Sequence, residues 1–89
     1  MSSTRQEVYA ALDSERDYQE SLVDANHGDP APRKSIEEFI VYMDDYMREL
    51  KTQVSRTWGP TAYDQARHTL RKVTALGVAA MEANGAVKR

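Results

Sequence analysis

The chain has 89 residues, no cysteine, two histidines and a net charge of −2, with 12 Lys/Arg against 14 Asp/Glu. That length leaves room for one core and excludes a second domain of ordinary size. With no disulfide to staple it, further stability must come from helix packing or from self-association. No apolar run approaches the roughly 20 residues that cross a bilayer, and Met1–Glu7 carries no apolar signal core, so the expected setting is the cytoplasm where the chain is made, the host cytoplasm if it is phage-encoded.

In chain order, Ser3 with Gln6 and Thr4 with Glu7 both have the spacing of a capping box, so a helix is expected over about 4–25. Val8, Ala11, Leu12, Tyr18, Leu22 and Ala25 recur at near three-to-four spacing, and Asp13, Glu15, Arg16, Asp17 and Glu20 are expected mostly on the remaining surface. The stretch Asn26-His27-Gly28-Asp29-Pro30-Ala31-Pro32 reads as a stop and a loop to about Lys34. A second capping box, Ser35-Ile36-Glu37-Glu38, opens a helix over about 35–57, whose apolar residues Ile36, Phe39, Ile40, Met43, Met47, Leu50 and Val54 form the strongest periodic signal in the chain. Trp58-Gly59-Pro60-Thr61 breaks it as a tight connection, and a third helix over about 61–84 follows, with Ala62, Ala66, Leu70, Val73, Leu76, Ala80 and Met81 on its stripe and Asn84-Gly85 as its C-terminal cap. The expected fold is all-α: three helices in a single domain over residues 1–89, an N-terminal helix packed on a long antiparallel helical hairpin.

Charge is graded along this order. The first third of the chain is strongly acidic, the middle balanced and the last basic, so an acidic first helix is expected to attract a basic third one, with an anion site on the basic third as the sharper reading. Gly77, inside the small-residue run Ala75–Ala80, gives up about 1 kcal/mol relative to alanine in a helix. Close packing in the hairpin or against the first helix, or a subunit interface, is expected to offset that loss.

Nothing in the sequence assembles a self-sufficient catalytic or metal site. There is no Cys, neither His27 nor His68 lies in a recognisable motif, and the carboxylates Glu37, Glu38, Asp44, Asp45 and Glu49 crowd one helix without facing partners. No cofactor is expected, and the chain reads as a non-enzyme. The informative cluster is Arg67, His68, Arg71 and Lys72, whose like charges repel at helical spacing and need an offset. Salt bridges to Asp44, Asp45 or Glu49 would supply it; so would a phosphate-bearing ligand held by the arginines while Tyr63, Trp58 or Tyr46 stacks on a base. Long nucleic acid is not expected, because the chain is acidic overall and has no extended basic stripe. Five tyrosines widen the apolar faces and point to a homo-oligomer.

The run Ser14-Glu15-Arg16-Asp17-Tyr18-Gln19, the helix start Ser35 to Ile40, and the ending from Arg71-Lys72-Val73 through Ala80 to Ala86 together resemble a group of small uncharacterised tailed-phage proteins over most of the chain. More distantly, an acidic Glu-Arg helix followed by a helix opening on paired glutamates is similar to phage versions of the MazG-like nucleotide pyrophosphohydrolases, which are α-helical, oligomeric and use magnesium. Glu37 and Glu38 match that pattern, but Val41 stands where a third glutamate is needed and the third helix is basic. The resemblance implies a helical nucleotide-binding shape whose metal chemistry has been lost, of the kind phages use to sequester nucleotide signals of host immunity. A docking module for a host or phage protein is the alternative. A residual hydrolase working through Glu37, Glu38 and Asp64 or Glu82 is a third reading.

Overall fold

The computed structural model describes residues 2–27, 34–56 and 58–89; the backbone is helical through the expected stop at Asn26 to His27, and of the loop expected to about Lys34 residues 28–33 lie outside the described residues, as do the side chains of 23–27. Three α-helices follow one another: α1 Arg5–His27, α2 Ile36–Arg56 and α3 Pro60–Asn84. No strand is present among the described residues.

The helix ends are local chemistry. Thr4 Oγ1 accepts from the Glu7 amide at 3.1 Å while Glu7 Oε1 accepts from the Thr4 amide at 3.1 Å. Ser35 and Glu38 repeat the reciprocal pair at 3.2 Å in both directions. Each box satisfies two helix-start donors that would otherwise lack partners. At the hairpin tip Gly59 takes φ +95°, a conformation side chains disfavour, and Pro60 opens α3. The other end of α3 closes on Gly85, at φ +102°, whose N–H donates to the Met81 carbonyl at 2.8 Å. Asn84 Nδ2 also donates to the Lys34 carbonyl at 3.2 Å, fastening the end of α3 to the start of α2.

The middle layer is α3, which packs on α2 along one side and on α1 along another; among the described residues α1 and α2 have no Cα pair within 8 Å. Antiparallel packing of α2 and α3 places the Met43 tip by Gly77 and Met47, Leu50 and Val54 by Tyr63, Ala66 and Leu70. The buried apolar set is thin: Phe39, Val73 and four alanines, Ala62, Ala66, Ala75 and Ala79.

The face that α1 turns to α3 departs from expectation. Its buried residues are Glu15 and Arg16, at 6% and 9% exposure, while Val8, Tyr18 and Leu22 of the expected stripe are exposed. The reason lies on α3. Arg71 Nε donates to Glu15 Oε1 at 2.7 Å, and Arg16 donates through Nε and Nη2 to the two Glu82 oxygens at 2.9 and 3.0 Å. Arg16 also reaches Gln19 and Glu20 on its own helix. The attraction between an acidic first and a basic third helix is therefore present in Glu15–Arg71, and a pair of reversed sign stands beside it.

The surface is large for the mass. The chain exposes 7392 Å², where a compact folded chain of its 10.1 kDa exposes about 5,300 Å². The radius of gyration of 14.5 Å likewise exceeds the about 12 Å of a compact domain of this length.

Candidate functional site

The seven residues singled out in the sequence fall into separate places. Tyr63 and Arg67 border a groove between α2 and α3, of about 400 Å³, lined also by Met47, Leu50, Lys51, Val54, Ala66 and Leu70. Its lining is almost wholly apolar, and Lys51 and Arg67 border it through the apolar stems of their side chains. Arg67 Nη1 donates to Asp64 Oδ1 at 2.6 Å, yet the Arg67 side chain remains 61% exposed. An exposed ion pair of this kind contributes little and leaves the remaining guanidinium donors available.

Arg71 and His68 do not border the groove. Arg71 Nη1 donates to His68 Nδ1 at 2.7 Å while its Nε holds the buried Glu15. A guanidinium only donates, so Nδ1 is the acceptor in this contact. The offset for the clustered charge on α3 thus comes from α1 through Glu15. Asp44 instead pairs with Arg48 on its own helix, at 3.0 Å. Lys72 and Tyr46 are half-buried, and Trp58 stands at the hairpin tip with 90% of its surface exposed.

Arg67 and Arg71 are four residues apart, about 40° in helical phase, so they share a face of α3 and differ in what they reach: Arg67 borders the α2 groove and Arg71 meets Glu15 on α1. The sequence reading missed Lys51 and the lining residues Met47, Leu50, Val54 and Leu70 as site components. A signal for them was available: Ile36, Ile40, Met43, Met47, Leu50 and Val54 alternate spacings of four and three, the seam of a coiled coil. Only a third of that seam is used inside the chain, since Met43 and Leu50 are half-buried while Ile36, Ile40, Met47 and Val54 are 39–58% exposed.

Of the carboxylates that the hydrolase reading names, Glu37, Glu38, Asp64 and Glu82, three are engaged separately: Glu38 caps α2, Asp64 holds Arg67 and Glu82 holds Arg16. Among the described residues no three His, Cys, Asp or Glu side chains gather where they could hold a metal ion. The Glu82 carboxyl is held below its ordinary pKa, chiefly by its hydrogen bonds from Arg16, and Arg16 is correspondingly pushed up. These shifts belong to the α1–α3 seam and not to the groove.

No helix among the described residues is long and apolar enough to cross a membrane. Comparison with protein-family models, with curated proteins and with solved structures finds no match for this chain.

Proposed function

We propose that the protein is a non-catalytic, homo-oligomeric accessory protein of phage type that binds, and so sequesters, a nucleotide or nucleotide-derived signal. The observation that supports this reading most is the α2–α3 groove, where Tyr63, an exposed Arg67 and Lys51 border an apolar floor. A ring laid on the apolar floor beside Tyr63, with a phosphate held outside it by the heads of Arg67 and Lys51, is the ligand chemistry this reading requires. Its volume of about 400 Å³ is within the range of about 300–1,000 Å³ for small-molecule sites. Arg67 takes the anchoring role, and Arg71 moves to the structural seam.

Thermal unfolding against linear, cyclic and ADP-ribose-derived nucleotides tests this. A ligand at 100 times its Kd adds about 2.7 kcal/mol, which at about 4–8 °C per kcal/mol is a shift of 10 °C or more. Arg67→Ala should remove the shift without lowering helicity. No shift across the panel, or a shift indifferent to Arg67→Ala, refutes the reading.

A second reading, docking on a host or phage protein, is favoured by Tyr18 and Leu22, one turn apart on the same side of α1 and 57% and 44% exposed. It predicts stoichiometric co-purification of one such protein, lost in the Tyr18→Ala/Leu22→Ala double variant.

A further inference from the structure

The groove is one end of a longer open face. Ile36, Ile40, Met47 and Val54 fall within about 40° of one another in helical phase on α2, and Tyr63, Leu70 and Met81 within about 20° on α3. All seven are exposed, between 39% and 60%. On α3 this stripe lies about 100° round from Arg71 and Glu82, whose side chains meet α1. Helix α1 therefore leaves the face uncovered, and seven large apolar side chains stand along the hairpin from its open end to its tip.

We infer that a second copy of this chain covers that face, with α2 packed antiparallel on α2 about a two-fold axis near Met47, so that two hairpins form a four-helix bundle and each roofs the groove of the other. This rests on the groove being the ligand site and supplies the wall that a single chain lacks. Three observations carry it. The exposed residues Ile40, Met47 and Val54 are spaced seven apart, the repeat that a straight seam between two helices requires. The chain exposes about 2,100 Å² more than a compact fold of its mass, against the about 800 Å² per partner that a stable interface buries.

The third observation is charge order. Glu37, Asp44 and Lys51, also seven apart, run beside the stripe. About a parallel two-fold axis these three residues flank opposite sides of the seam and do not meet one another. An antiparallel copy centred on Met47 sets Asp44 against Lys51 twice, since they lie three residues before and four after the axis. Asp44 Oδ2 takes Arg48 within its own helix, in a pair exposed on both sides. In this arrangement Ile40 of the second copy falls opposite Val54, over the Tyr63 end of the groove. A ligand there is enclosed between the two chains.

Light scattering coupled to size exclusion, with circular dichroism on each variant, is the test. Wild type should have twice the 10.1 kDa chain mass, or an even multiple of it. Met47→Asp should break the α2–α2 contact and halve the mass at unchanged helicity. Lys51→Asp alone should weaken association at least tenfold, because it sets Asp44 against a new carboxylate, and adding Asp44→Lys should restore it. That rescue is specific to antiparallel pairing and uses exposed positions that leave the single-chain fold intact. A monomeric wild type overturns the inference, as does an oligomer indifferent to Met47→Asp or a charge swap that fails to rescue. An Arg67-dependent ligand shift on a monomer would overturn the roofed site while leaving the ligand reading standing. The converse result, charge-swap rescue of the dimer together with no ligand shift for the wild-type chain, would overturn the ligand reading and leave the dimer.

Discussion

Gly77→Ala should stabilise the protein. A glycine inside a 25-residue helix forgoes about 1 kcal/mol relative to alanine, and it is retained where a Cβ has no room. Here there is room: a Cβ built at Gly77 meets the Met43 Cε at 3.6 Å and no other atom outside its own helix backbone within 4 Å. That distance is an ordinary van der Waals contact at the tip of a flexible side chain, so the methyl adds packing without strain. The sum is a gain of about 1 kcal/mol, read as a rise in Tm of about 4–8 °C in thermal unfolding followed by circular dichroism. Gly85→Ala is the control of opposite sign, because Gly85 has equal space but φ +102°, so its loss is purely conformational. A Gly77→Ala variant that melts at or below wild type refutes the reasoning and means that another chain approaches α3 at that position.

Truncating the two arginines separates structure from binding. Arg71→Ala strips the cation from Glu15, whose side chain is 7% exposed, and should cost about 2–3 kcal/mol in a denaturant titration, whereas Arg67→Ala, in an exposed pair, should cost under about 1 kcal/mol. Acid should loosen the α1–α3 seam first. Glu82 has a depressed pKa in the folded chain, so its contribution is complete above the unfolded value of 4.5 and is lost as pH falls through the lower folded value. Glu82→Gln should flatten the fall in Tm below about pH 5, and an unchanged acid limb would remove Arg16–Glu82 from the seam's energetics.

What was legible in the sequence is what is settled within a few residues. Both capping boxes, the Gly59-Pro60 tip and the Gly85 cap depend on contacts at most four residues apart, and they delimit the helices as the periodicity implies. The docking face of α1 was not legible. Glu15 and Arg16 read as solvent-facing because their partners, Arg71 and Glu82, lie 56 and 66 residues further on. The candidate site was half legible. Tyr63 and Arg67 do border one groove, but composition treats Arg67 and Arg71 as one basic cluster, and only the positions of α1 and α2 around α3 reveal that one borders α2 while the other meets α1. Lys51 escaped because its neighbours in sequence belong to α2, while its role depends on what α3 brings across.

The two seams of α3 do different work. Toward α2 it offers alanines, Val73 and Gly77, which bring the helices close and select little beyond shape. Toward α1 it offers Arg71 and Glu82, which meet Glu15 and Arg16. Reversing α1 end for end would turn Glu15 toward Glu82 and Arg16 toward Arg71, so the charges that meet in the native orientation would repel in the other. Charge pairs that are partly buried contribute modest net stability but penalise wrong arrangements strongly, because each mismatch leaves a desolvated charge unpaired. They fix α1 on one side of the hairpin. With α1 so placed, the exposed part of the α2 seam and the stripe of α3 beside it stay uncovered within the chain. The apolar surface needed for assembly and the Arg67 groove that opens onto it therefore share one face.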